Sequence, residues 1–509
     1  MKFRILSLLA LSAAVAIAPR AMAEKLVILH TNDTHSMIDP DDDGLGGVLR
    51  RKVVIDSVRE AEKNVLLVDA GDFVQGTLYF NLYRGRVEQE LMNRLGYDIR
   101  ILGNHEFDNG IDELADLLTD TEAELIATNY DLSSSPLARK FRPFTIREVG
   151  DKQVGIIAVN LQPKGMITDG NYDGVVYNDA IKAANAAAWW LKHIEKVDAV
   201  IAVTHIGYDP TMPPGDKLLA QSSEDIDLII GGHSHDLIDP AKNGTGRLNS
   251  IVKNAKGRDI VVAQVGKSGK YIGKIELDIE SDTVKAVPEI IRIDRRLDSR
   301  TDAKLDEVIK PYRIGVDSLM HVKIGRSAVE MPKGSNELIN FGADFIFERG
   351  RKLADSVDLG IINKGGLRRD LPKGDITEGM IITLMPFYNY VNVIDIKGSD
   401  LLEAFDVMAK DGGNGVSGNV DITYDPVKGK CLTVLIDGKE LEPERTYRVS
   451  TIDYLAKGGD YMSSLKRGKK VAAGKNVLYN DMIEEFRHGS LKGVKINPSK
   501  QARMKAISK

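Results

Sequence analysis

Five times in the first half of the chain, a short run of Val, Ile and Leu ends abruptly in His, Asp or Asn. Leu26-Val-Ile-Leu29 runs into His30-Thr-Asn-Asp33-Thr-His35, and Val65-Leu-Leu-Val68 into Asp69-Ala-Gly-Asp72. Ile99-Arg-Ile-Leu102 is followed by Gly103-Asn104-His105-Glu106-Phe107-Asp108, the run 199–203 by Thr204-His205, and the run 226–230 by Gly231-Gly232-His233-Ser234-His235. The runs have strand length and composition. Helix-like stretches at 47–63, 86–95 and 177–197 separate several of them, a rhythm that predicts an α/β domain with a layered sheet core. In open α/β sheets, sites lie outside the carboxyl ends of the strands, so all five endings can meet in one crevice.

The chain has nine histidines, and six of them (His30, His35, His105, His205, His233 and His235) lie in these endings. His30, taken alone, reads as a structural or surface residue. The cluster as a whole, mixed with Asp and Asn, calls for a metal. Gly71, Gly103, Gly231 and Gly232 let the backbone turn tightly and approach a ligand closely. The donors are N and O without thiolate, which suits Zn²⁺, Mn²⁺, Fe²⁺ or Co²⁺ and does not choose among them. Asp33, His35, Asp72, Asn104, His205, His233 and His235 are too many for one tetrahedral ion. They suit two ions sharing a carboxylate, an arrangement that can supply hydroxide, polarise a phosphoryl oxygen and clamp an in-line displacement.

Composition agrees with a large soluble protein of two or three domains. The 509 residues are 43% hydrophobic and 28% charged, with a formal net charge of -5. That mixed balance argues against a nucleic-acid polymer as partner. Lys2 and Arg4, the apolar run 5–18 and Ala21-Met22-Ala23 form a signal peptide (1–23), too short for a bilayer span. Cleavage near Ala23 would leave a mature chain at -8, exported to a periplasm or secreted. No cysteine near that point and no second long apolar run imply no stable membrane anchor. Cys431 is the only cysteine, so no intramolecular disulfide can form. The texture changes after a charged stretch at 292–300 and a probable helix at 302–320. The expected division is 24–300, a linker helix in 301–325 that either connects two bodies or packs ordinarily, and a second domain at 326–509. Oligomeric state is not legible.

Thr31-Asn-Asp-Thr-His35, Gly71-Asp72, Gly103-Asn-His-Glu-Phe-Asp108, Thr204-His205 and Gly231-Gly-His-Ser-His235 resemble, in order and spacing, the calcineurin-like metallophosphoesterases. More narrowly, the chain resembles the 5'-nucleotidase family of secreted two-domain enzymes. The resemblance implies a four-layer αββα metallophosphoesterase domain followed by a C-terminal α/β nucleotide-binding domain. It assigns Asp33, His35, Asp72 and His235 to one metal, and Asp72, Asn104, His205 and His233 to the other. His105 would then face the phosphate, oriented by Asp108; the plain alternative for Asp108 is the N-cap of a helix at 111–118.

The second half resembles the same family through Asn363-Lys-Gly-Gly366-Leu-Arg368, Met385-Pro-Phe387-Tyr-Asn389 and Gly458-Gly-Asp460-Tyr461. The resemblance places Asn363 and Arg368 at phosphate, Phe387 and Tyr454 at the base, and Asp460 at ribose, with Gly366 and Asn389 also in the substrate-binding set. Core packing is the alternative for Phe387 and Tyr454. Stacking on aromatic rings accepts any base, which implies a broad nucleotidase. Four departures stand out. Tyr454 occupies a usual Phe position, Lys364 replaces a Gly, Arg369 follows Arg368, and Tyr461 follows Asp460 where a Gly is usual. An additional arginine expected before a helix near Asn336 has no match; Val329-Glu-Met-Pro-Lys-Gly334 stands there. The resulting expectation is two-metal hydrolysis of nucleoside 5'-monophosphates, extending to UDP-sugars, with Zn, Mn or Co as the ions. The alternatives are a 2',3'-cyclic nucleotide phosphodiesterase, a thiosulfohydrolase on the same fold, and a non-catalytic exported nucleotide-binding protein.

Overall fold

The computed structural model describes residues 24–210, 214–243, 246–280 and 283–507, and the signal-peptide reading of 1–23 lies outside them. Two large sheets, with a two-stranded ribbon of Tyr130–Asp131 and Val176–Tyr177, form the first half. One has seven strands in the order Val284–Arg292, Tyr271–Ile279, Glu24–Thr31, Val65–Asp69, Ile99–Arg100, Glu124–Ile126, Phe141–Arg142. The other has six: Ile251–Lys253, Asp259–Ala263, Leu228–Ile230, Ala199–His205, Lys152–Asn160, Phe144–Val149. Glu24–Thr31 runs parallel to Val65–Asp69, and that strand parallel to Ile99–Arg100. Lys152–Asn160, Ala199–His205, Leu228–Ile230 and Asp259–Ala263 are likewise parallel. Each central strand is buried on both faces, which is why it reads as a continuous apolar run rather than an alternating one.

One core lies between the sheets, where Ile28, Val68 and Ile99 meet Ile156, Ile201 and Ile230. A second covers the outer face of the six-stranded sheet, with Ala184 and Ala188 of helix Ala180–Trp190 and Leu219 of helix Asp216–Ser222. A third covers the seven-stranded sheet, with Ile55 of helix Val48–Ala61 and Leu91 of helix Arg86–Leu95. These are the four layers, helix–sheet–sheet–helix.

The second half has its own core, built from residues between Met331 and Met504 with Leu78 joining from the first half. Its main sheet orders Gly415–Val416, Leu359–Ile362, Thr446–Ile452, Tyr390–Lys397 and Lys469–Val477. Helix Asn336–Leu353 packs on it, with Ser335 capping its N-terminus through Leu338 N–H. Helix Ala303–Met320 starts under an Asp302 cap and carries Pro311 inside. Its Leu305 and Ile309 pack into the first half, while Leu319 and Met320 pack against the second.

The sequence expectations for the strands hold, with shorter ends in two places. The run at 99–102 is a strand only over Ile99–Arg100, and 226–230 only over Leu228–Ile230. In the first, the chain leaves the ladder early, before the loop that carries Asn104; in the second, the strand starts two residues late and ends with the run at Ile230. Truncating Ile201, 1% exposed between the two sheets, leaves a cavity that neither sheet can close. Ile201→Ala should destabilise the fold by about 2–5 kcal/mol, read as a lowered midpoint in urea unfolding; an unchanged midpoint would contradict the two-sheet core.

Candidate active site

The parallel strands deliver their C-terminal loops to one point. Asp33 and His35 follow Glu24–Thr31, Asp72 follows Val65–Asp69, His205 ends its own strand, and His233 and His235 follow Leu228–Ile230. Their donor atoms gather in two groups, Asp33 with His35 and His235, and Asp72 with His205 and His233, each within 4.8 Å of one another. His35 Nε2 lies 2.8 Å from His235 Nε2 and 3.9 Å from Asp33 Oδ1. His205 Nε2 lies 3.2 Å from Asp72 Oδ2, and Asn104 Oδ1 lies 3.0 Å from His233 Nδ1. A third grouping joins Asp72 and His35 to His105.

The backbone is bent to make this possible. Asp33, His35, Asp72, His233 and His235 all have positive φ, between 47° and 78°. Left-handed backbone costs an ordinary residue roughly 1–2 kcal/mol, and such strain concentrates at functional sites. Gly103 sits against Asp72, where a Cβ would collide with Oδ1, and a Cβ on Gly71 would stand 2.6 Å from Gly103 N.

Neighbouring groups fix the ligand orientations. Glu106 accepts the backbone N–H groups of Asp72 (3.1 Å), Phe73 (2.9 Å) and Gly103, locking two ligand loops together. Asp72 Oδ1 accepts His105 N–H at 2.9 Å. His205 Nδ1 donates to Ala70 O at 2.6 Å, which turns the lone pair of Nε2 into the site. That Nε2 is buried and makes no hydrogen bond, as is Nδ1 of His35. Buried imidazole nitrogens without partners, beside carboxylates and an amide oxygen, are a donor set that fits divalent cations.

His105 stands at the edge of this cluster. Its Nδ1 lies 2.9 Å from Asp108 Oδ2. Burial disfavours its charged form, but the Asp108 and Asp72 carboxylates outweigh that and raise its affinity for a proton. The N-cap alternative for Asp108 is not what forms: helix Ile111–Leu117 begins at Gly110 without a side-chain cap. Asn171 Nδ2 donates to Phe107 O and Asp108 O at 2.9 and 3.1 Å, holding that turn. His30 stays apart from the donor groups, buried within its strand, as the plain reading had it.

A cavity of about 760 Å³ opens from this edge. Asp72, Asn104, His105, Asp108, His233 and His235 line one end, and Asn363, Gly366, Arg368, Phe387, Asn389, Tyr454 and Asp460 line the rest. Phe387 is not core. Its ring stacks on His105 at a centroid distance of 5.8 Å, and Arg368 Cζ lies 5.8 Å from its centroid.

Sequence reasoning missed two cations. The loop carrying Lys267 is tied to the ligand strand by Ser268 N–H to Asp33 O (2.7 Å). Met331 and Leu371 pair antiparallel, which sets Lys333 across from Arg369. Partial desolvation, then Lys267, Arg368 and Arg369, push the Lys333 ammonium down to about 8. Lys333 lies in the stretch that lacked the expected arginine. Its sequence signal was a lone Lys before Gly334. Lys267 had none.

Gly103→Ala should expel Asp72 from its position and remove most bound metal and activity together, read by metal analysis and turnover on the same sample. Full metal content in that variant would contradict the packing argument.

Residues 26–237 match the calcineurin-like phosphoesterase family and residues 319–467 the 5'-nucleotidase C-terminal domain. A 5'-nucleotidase of Rattus norvegicus is 30% identical, over 90% of this chain and 87% of its own length. One from Vibrio cholerae is 28% identical over 86% and 85%. The crystal structure of a 5'-nucleotidase precursor from Thermus thermophilus superposes with a TM-score of 0.83 at 28% identity, covering 95% of this chain and all of that one. The two groups of donor residues, the second half lining the same cavity and these likenesses lead to one conclusion: the chain belongs to the 5'-nucleotidase family and is a metallophosphoesterase, a hydrolase of nucleotide phosphoesters.

Proposed function

We propose that the chain hydrolyses nucleoside 5'-monophosphates to nucleoside and phosphate, with two divalent ions in the cluster. The observation that carries this reading is the shared cavity: donor residues at one end, and an aromatic ring, an arginine and an acid at the other. Asp33, His35, Asp72 and His235 would hold one ion, and Asp72, Asn104, His205 and His233 the other. Bound there, the ions supply an activated water and neutralise phosphate charge.

The chain's own groups do the rest. His105 points Nε2 at the phosphate, because Nδ1 is taken by Asp108. In its protonated form it stabilises charge on the phosphoryl or leaving oxygen. Arg368 presents a planar fork to the phosphate. Phe387 and Tyr454 hold the base between rings, and Asp460 takes the ribose hydroxyls. We further propose the division 24–300, 301–325 and 326–509, with the reacting groups in the first domain and the substrate grip in the last. Export of the mature chain to a periplasm or to the medium is part of the same reading, and no described helix is long and apolar enough to cross a membrane. Lys267, Lys333 and Arg369 add positive charge beside Arg368, which favours substrates more anionic than a monoester, such as nucleoside diphosphates; UDP-sugars are part of the same reading through their second phosphate.

Turnover of AMP, 2',3'-cyclic AMP and UDP-glucose by the purified protein tests the substrate class. AMP should be cleaved fastest of the AMP pair; preferential cleavage of the cyclic diester would replace this reading with the phosphodiesterase one. His105→Ala should lower kcat on AMP by roughly 10²–10⁴-fold with both metals retained, and metal loss in that variant would make His105 a ligand. Lys267→Ala/Lys333→Ala should raise KM for ADP more than KM for AMP; an equal change would remove the lysines from phosphate recognition.

A further inference from the structure

Two departures from the family's usual residues, Tyr454 and Tyr461, meet in one loop, and the structure gives them a common cause. Tyr461 has φ 61° where the family usually has glycine, and Asp460 before it has φ 49°. Two successive non-glycine residues in left-handed backbone need outside support. The Tyr454 hydroxyl supplies it twice. It accepts the backbone N–H of Asp460 at 3.1 Å and donates to Asp460 Oδ1 at 2.8 Å. A phenylalanine at 454 could do neither.

The other carboxylate oxygen is also held. Asn363 Nδ2 donates to Asp460 Oδ2 at 2.7 Å. One face of the Tyr454 ring is covered by Gly459, where a Cβ would stand 2.5 Å from ring carbons. The ring therefore cannot swing towards that side without displacing the backbone. On the far side of the loop, Tyr461 packs on Gly165 of the first half, whose added Cβ would stand 2.9 Å from the ring. The Asp460 carboxylate is thus clamped at both oxygens and along its backbone, inside the cavity that also holds Phe387.

A carboxylate offers about four lone-pair sites. Tyr454 and Asn363 use two and leave two in fixed directions. Two acceptors held at a set spacing are suited to a cis-diol. Pre-organising an acceptor removes the ordering cost that a free side chain would incur on binding.

We propose that the Tyr454 hydroxyl is a positioning group for sugar recognition: by clamping Asp460 it makes the enzyme discriminate for the 2',3'-diol of ribose. This rests on the reading of Asp460 as the ribose-binding acid. It assigns to Tyr454 a task separate from stacking, because the ring serves the base and the hydroxyl serves the sugar. It also gives Asn363 a role in holding Asp460 in addition to any phosphate contact.

The test compares AMP with 2',3'-dideoxy-AMP in the unaltered protein and in Tyr454→Phe, which keeps the ring. The unaltered protein should favour AMP, mainly through KM. In Tyr454→Phe that preference should shrink roughly tenfold, as expected for losing one hydrogen bond to a charged group, with the change in KM rather than kcat. If both substrates lose equally, or the preference survives intact in folded Tyr454→Phe, the positioning role is wrong. If the unaltered protein has no preference for AMP, the ribose role of Asp460 itself fails. Asp460→Asn separates these cases, since it should reduce the preference whichever group orients the acid.

Discussion

Asp72 is the residue through which the rest of the site is held in place. Its carboxylate faces His205 on one oxygen and receives the His105 backbone N–H on the other. Its own N–H is bound by Glu106, which binds Gly103 as well. Both glycines that flank it in space, Gly71 and Gly103, are too close to carry a side chain. Positioning this one carboxylate fixes three loops from three different strands. The strain in the five left-handed residues is sustained because two sheets, buried on both faces, leave the loops no alternative path.

The second half of the molecule lines most of the cavity that opens from this cluster. It meets the first half through the stack of Phe387 on His105 and through contacts away from the donor cluster. Asn81 Nδ2 donates to Pro386 O at 2.7 Å, Tyr388 OH donates to Asn81 O at 3.1 Å, and Arg84 lies over the Tyr388 ring. Lys466 pairs with Asp169 at the other side of the cavity. The candidate metal donors follow strand ends of the first half, while the residues proposed to grip the substrate sit on loops and short helical turns of the second. Chemistry and specificity can therefore change separately. Tyr454, Tyr461, Lys333 and Lys267 lie in the proposed substrate-binding region or at its border with the donor residues, and none belongs to the donor groups.

Much of the first half was legible because each strand is short, wholly apolar and followed at once by polar donors. That pattern reports both the layer and the end of the strand at which the site lies. Exact strand ends were not legible at 99–102, where apolar residues continue past the ladder into the loop, or at 226–230, where the run begins two residues before the strand. Asp108 left two readings open in sequence; the choice depends on where the helix starts, and Gly110 starts it. Lys267 was silent and Lys333 showed only as a lone Lys before Gly334, because a lysine on a loop carries no periodicity and their meeting depends on pairing between residues far apart in the chain. The Asp460 clamp was invisible for the same reason: the sequence names Tyr454, Asn363 and Asp460 but not which atoms face each other.

The proposed function requires that the cluster hold two divalent ions and that both be needed for phosphoester hydrolysis. The most direct measurement adds Zn²⁺, Mn²⁺ or Co²⁺ stepwise to chelated protein while following phosphate release from AMP and bound metal per chain. Activity should be absent after chelation and reach its plateau at two equivalents of the working ion. Turnover that persists without metal, or a plateau at one equivalent, would contradict the account.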